Sequence, residues 1–268
     1  MTSNPLATQM RPSFRATLNP VLTLGWPIVL TELCIMGTGF IDSAMAGRYS
    51  SLDLAGVSLG NSILWPCYLL FTGVTVAFTP ITAQLRGAGK IYEVGPQIQQ
   101  GLWLTLVATV LLVLLVRNLQ PALLSTGIDP TVAVLASDYL HAASWGLPAL
   151  VIYAALRRTS EGLGETRPPM LIAASILPLN AVLNYVLIYG KFGFPEMGGV
   201  GCGWATACVF WVELGLMTLF LRRPYFLDTQ LFSRLMRPHW PTMLKILRLG
   251  MPIGIAIFLE MAMFSVMS

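Results

Sequence analysis

Charge is scarce in this sequence. Only 10% of its 268 residues are Asp, Glu, Lys or Arg, against roughly 25% in soluble domains, and the mean hydropathy is +0.71. An ordinary soluble domain is excluded. Histidine is scarcer still. His141 and His239 are far apart and join no metal-ligand spacing, so His141 reads as a packed or hydrogen-bonded side chain. The four cysteines, Cys34, Cys67, Cys202 and Cys208, all lie in apolar stretches and fit no metal motif. They read as inert, packed thiols. There is no Gly-rich phosphate loop and no nucleophile with a spaced base. The sequence therefore points away from an enzyme and calls for no cofactor.

What the chain has is apolar length. A helix crossing the hydrocarbon needs about 20 apolar residues, and seven stretches qualify: 21–46, 54–84, 98–116, 132–156, 169–190, 199–221 and 249–267. The first is too long for the core of a signal peptide, about 7–15 residues, and reads as a retained span. Before it, Arg11, Phe14, Arg15 and Leu18 fit either an interfacial helix or an unstructured tail. The second stretch exceeds one perpendicular span and holds Pro66 and Pro80, which predicts tilt or a kink. The fold class expected is an all-α polytopic membrane protein.

The basic residues set an orientation. With the N-terminus inside, only Arg48, Arg117 and Lys191 fall outside, and the other thirteen of the sixteen Lys and Arg fall inside. The reverse topology violates the positive-inside rule. The net charge of +4 is thereby explained by topology and contact with anionic lipid, and no nucleic-acid partner is expected. The segment 222–248 is basic and reads as a cytoplasmic linker between two halves. Leu24-Gly25-Trp26-Pro27-Ile28 recurs, four residues identical in five, as Leu249-Gly250-Met251-Pro252-Ile253, an offset of 225. Parallel repeats of a six-span bundle or a chance match both account for it.

Ionisable residues within spans mark water-filled or functional places. Glu32, Asp42, Asp138, Glu213 and Glu260 have no Lys or Arg in their own spans. A desolvated carboxylate without a partner takes a proton, and one with neutral oxygen ligands nearby can hold Na+. Asp42, in GFIDSAMAG, follows Gly37 and Gly39, which let other helices approach. Glu32 lies ten residues earlier, about 15 Å along the helix, and reads as a pathway residue or a protonated structural acid. Asp138 and Glu213 read as structural or near cavity water. In LPLNAVLNY, Asn180 and Asn184 share one helix face, and Pro178 frees a carbonyl nearby. These groups make a cation shell or an ordinary interhelical hydrogen-bond pair. Thr206 adds a hydroxyl after the glycines of GGVGCGWAT.

GFIDSAMAG with SLDLAGVSLGNSILWP, PITAQLRGAGK, ALRRTSEGLGETRPPM and YGKFGFPEMGGVGCGWATA resembles the MATE multidrug and toxin extrusion transporters, in their bacterial NorM-like branch. FLEMAMF at 258–264 resembles the start of that family's seventh helix. The resemblance implies two lobes of six helices around a central cavity. It implies export of cationic, amphipathic drug-like molecules in exchange for Na+ or H+, from a bacterial inner membrane with the N-terminus in the cytoplasm. It places Asp42 as the first-helix carboxylate, Asn180, Asn184 and Thr206 as its partners, and Glu260 in a cation site of the second lobe. No metal is implied beyond a possible Na+ at these residues. The expected division is a cytoplasmic N-terminal segment (1–20), a six-helix N-lobe (21–221), a linker (222–248) and the first helix of a C-lobe (249–268). On that reading the chain is a fragment of the exporter. Other readings are a flippase of lipid-linked oligosaccharides, disfavoured because no Lys or Arg lies within a span, and a non-transporting half-transporter subunit.

Overall fold

The computed structural model describes residues 14–125, 127–223, 226, 228–231 and 236–267. They form ten α-helices, with no strand among them. These are α1 (Phe14–Tyr49), α2 (Ser51–Thr72), α3 (Phe78–Gly87), α4 (Val94–Arg117), α5 (Gln120–Ser125), α6 (Pro130–Ser144), α7 (Leu147–Gly162), α8 (Arg167–Ile188), α9 (Gly199–Leu221) and α10 (Trp240–Met267). Short 3-10 turns precede α3 (Gly73–Ala77) and α4 (Ile91–Glu93).

Four helical stretches are long and apolar enough to cross a membrane singly, Leu22–Tyr49, Ile91–Arg117, Arg167–Ile188 and Gly199–Leu221. Two bent pairs bring the number to six among the described residues if each is one span. One pair is α2 with α3, bent by 51°, and the other is α6 with α7, bent by 55°. The first bend does not fall at the expected prolines. Pro66 stays inside α2, and Pro80 sits in the first turn of α3, where its missing N–H would have no helical partner anyway. The break comes at Thr72–Gly73, where the chain tightens into the 3-10 turn. Local sequence supports the other ends. Ser50 accepts a bond from Leu52 N (3.2 Å) to cap α2, and Asp129 accepts one from Thr131 N (2.7 Å) to cap α6, with Pro130 as its first helical residue.

Two boundaries differ from those read off hydropathy. α1 begins by Phe14, seven residues before the apolar run, so the end of the 1–20 segment is helical; residues 1–13 lie outside the described residues. The segment 222–248 is not linker throughout, because α10 starts at Trp240 and runs without a break into the seventh apolar stretch. A helix satisfies its own backbone in water as in lipid, so hydropathy marks the hydrocarbon crossing and not the helix end.

The preceding piece of that linker is fixed against the start of α4. Gln99 donates to Leu231 O (2.7 Å) and accepts from Met236 N (2.8 Å). Gln100 donates to Arg237 O (2.9 Å) and accepts from His239 N (2.6 Å), and Trp103 Nε1 donates to Met236 O (3.0 Å). The helices pack α1 on α8 and α2, and α9 on α6, α7 and α8. Glycines set the tightest of these contacts. A Cβ on Gly203 would stand 2.7 Å from Tyr139 O of α6, and one on Gly201 would stand 2.8 Å from Leu187 of α8. The buried core runs through Leu64, Phe78, Tyr139, Leu147, Leu156, Ile176 and Met217.

Candidate functional site

Asp42 is buried near the end of its span. It is 6% exposed, on the face of α1 that meets α8 and α9. Its Oδ1 accepts from Asn184 Nδ2 (2.6 Å) and Asn180 Nδ2 (3.1 Å), and Asn184 Nδ2 also reaches Asn180 Oδ1 (3.2 Å). The four-residue spacing of the asparagines is what puts both amides on one carboxylate. Asn180 and Asn184 are 1% and 0% exposed. The pairing is costly to lose, because a buried carboxylate without hydrogen bonds is heavily penalised.

One oxygen beside this carboxylate remains open: Asn184 Oδ1 is buried and has no hydrogen-bond partner. The Thr206 hydroxyl is buried and faces the Asp42 carboxylate. Cys202, one turn before Thr206 on α9, donates to Asp42 O (3.6 Å). It had been read only as a packed thiol. Next to this cluster Tyr139 donates to Asn61 Oδ1 (2.9 Å). No group of three or more His, Cys, Asp or Glu that could hold a metal ion occurs among the described residues. The oxygen donors here are instead one carboxylate, two amides and a hydroxyl, hard ligands that suit a monovalent cation or a proton rather than a transition metal.

The cluster opens on a cavity of about 440 Å³, within the few hundred Å3 usual for small-molecule sites. Asp42, Asn180 and Thr206 line one end. Glu32, Arg157, Arg158 and Glu213 line the other, with Trp65, Tyr68, Leu150 and Phe210 as walls and Gly254 and Ile257 of α10 closing one side. Glu32 is ion-paired across helices. Its Oε1 lies 2.5 Å from Arg157 Nη2, and its side chain is 51% exposed. Arg157 Nε also bonds Glu161 Oε1 (2.8 Å), and Arg158 Nη1 reaches Glu161 Oε2 (3.2 Å). No Lys or Arg lies within an apolar run, yet two guanidiniums line the cavity. Arg157 follows the apolar run 132–156 directly, and the helix carries its guanidinium back to the wall at 7% exposure. The pairing joins helices 125 residues apart, beyond the reach of any spacing rule. His141, expected to be packed, is exposed on α6. Glu260 falls on α10, but its side chain lies outside the described residues.

The all-helical bundle, with a polar-ended cavity between bent helices, shares its fold with solved structures of membrane transporters. A eukaryotic MATE transporter, AtDTX14, superposes with a TM-score of 0.84 at 20% identity, over 94% of this chain and 55% of that one. A MOP superfamily transporter from Pyrococcus furiosus superposes with a TM-score of 0.78 at 21% identity, over 91% of this chain and 54% of that one. Residues 27–186 match the MatE family model. The chain belongs to the MatE family. It is 38% identical over 250 residues to the multidrug resistance protein MdtK of Klebsiella pneumoniae subsp. pneumoniae, covering 92% of this chain and 55% of that one. The figures for MdtK of Yersinia pestis (strain Pestoides F) are the same. The chain spans about half the length of these curated relatives.

Proposed function

We propose that the chain forms the N-terminal lobe, and the first helix of the second lobe, of a multidrug efflux antiporter of the bacterial inner membrane. Its substrates are cationic, amphipathic molecules, exchanged for Na+ or H+, and its N-terminus is cytoplasmic. One observation carries this reading: a single carboxylate, Asp42, buried in the cavity wall with two asparagine amides on it and the Thr206 hydroxyl and an unpartnered amide oxygen beside it. An amide swaps donor for acceptor by a half-turn. Asn180 and Asn184 therefore serve the bare carboxylate with their N–H groups and an arriving cation with their oxygens. The ion and a cationic drug then share one cavity, so that binding of one can be set against binding of the other.

The charge on the lining supports a cationic substrate. Three carboxylates, Asp42, Glu32 and Glu213, face two guanidiniums, Arg157 and Arg158. A flippase for an anionic lipid-linked sugar needs the opposite balance. Ethidium efflux by the transporter that carries this sequence, expressed in a pump-deficient bacterium, tests the reading. Asp42→Asn is expected to insert normally and lose efflux. Unchanged efflux across several pH values and sodium concentrations would make Asp42 a bystander.

A further inference from the structure

The cavity's other end holds an acid that the coupling cluster does not use. Glu213 lies seven residues after Thr206 on α9, two turns away on the same face, about 10 Å along the helix. It is 6% exposed and lines the cavity. No hydrogen bond or ion pair joins it to a described residue. The guanidinium of Arg157 acts on it only through space, since that guanidinium is bonded to Glu32 and Glu161. Beside it on α7, the hydroxyl of Tyr153 is buried, also lines the cavity, and has no hydrogen-bond partner.

The ionisable groups at this end do not pair off. Glu32, Glu161 and Glu213 are three acids against Arg157 and Arg158. The ion pairs here use the first two acids, which leaves Glu213 without a cation. A buried charge is held only when paired or hydrogen-bonded. A partner that fits both vacant groups brings a positive charge and N–H donors: the carboxylate accepts, and the phenol oxygen can accept as well as donate. The walls reaching it, Tyr68 and Phe210 among them, are aromatic and attract a cation over their faces.

We infer that Glu213 and Tyr153 form a second subsite, distinct from the Asp42 cluster, that binds the protonated amine of an amphipathic ligand whose apolar body lies along the cavity. The inference rests on the exporter reading for its ligand class, and on the geometry alone for its place. A protonated amine donates to the carboxylate and to the phenol at once. A neutral alcohol of the same shape brings no charge to pair with the acid. Glu213 thus sets preference for charge, while Asp42 couples the ion.

Binding of dansylcadaverine, a fluorescent primary amine, and of its terminal-alcohol analogue tests this in nanodiscs without any ion gradient. The wild type is expected to prefer the amine. Glu213→Gln should lose roughly tenfold in amine affinity, equivalent to about 1.4 kcal/mol, with alcohol binding unchanged; that unchanged binding also reports an intact fold. Glu213→Asp should keep the preference, and Tyr153→Phe should lose a smaller part of it. A wild type that binds both probes equally, or a Glu213→Gln variant that keeps the preference, overturns the subsite. The exporter reading fails separately, if vesicles whose protein binds the amine do not transport it.

Discussion

Replacing Arg157 with methionine is a severe test of how this bundle handles charge. The side chain is 8% exposed and holds two acids of contrasting exposure, Glu161 at 5% and Glu32 at 51%. Without Arg157, Glu161 keeps only Arg158, at 3.2 Å and 35% exposed. Breaking a buried pair from one side costs about 3–5 kcal/mol. Glu32→Gln removes a half-exposed partner and should cost at most about 1 kcal/mol. For chains of this size each kcal/mol moves Tm by roughly 2–4 °C. Arg157→Met should therefore lower Tm by roughly 6–20 °C, and Glu32→Gln by less than about 4 °C. The double variant Arg157→Met/Glu161→Met removes the orphaned charge and should recover most of the loss. The monodisperse fraction remaining after heating in detergent measures all three. Equal shifts for Arg157→Met and Glu32→Gln, or no recovery in the double variant, would refute this account of the network.

Other outcomes follow from the same geometry. Gly203→Val puts side-chain atoms against Tyr139 O, where even a Cβ would stand 2.7 Å away; a loss of about 1–3 kcal/mol should appear as a lowered Tm, and unchanged stability would mean that α6 and α9 can separate freely. Gln99→Leu removes the bonds to Leu231 O and Met236 N, each worth about 0.5–1.5 kcal/mol, and should speed proteolysis between residues 228 and 239 without lowering the insertion level. For topology, a cysteine-free background carrying Lys191→Cys should label from outside, and one carrying Lys90→Cys should not; the reverse pattern inverts the orientation.

The spans and the first cluster were legible because they obey local rules. Apolar length marks a crossing, a lone acid in such a run marks a polar place, and two asparagines four apart share a face. These rules brought Asp42, Asn180, Asn184 and Thr206 to notice; Asp42, Asn180 and Thr206 line one end of the cavity, and Asn184 bonds Asp42 from behind it. What stayed hidden is what depends on pairs of helices. The Glu32–Arg157 bridge joins residues 125 apart, and no periodicity connects them. Glu213 reads from sequence as structural or near cavity water, and it lines the cavity; its lack of a partner is visible only once the neighbours of α9 are known. The helical run of α10 through Trp240–Arg248 was missed for a different reason. Its charges mark it as outside the hydrocarbon, and hydropathy says nothing about whether a polar segment is helical.

The central claim is that Asp42 couples cation movement to substrate export. Proteoliposomes containing the transporter that carries this sequence, loaded with a cationic dye and given an imposed gradient of Na+ or of H+, measure it directly. The account predicts that one of these gradients drives dye movement by the wild type, and that Asp42→Asn responds to neither while still inserting and remaining monodisperse. Dye movement by Asp42→Asn driven as fast as in the wild type would contradict it.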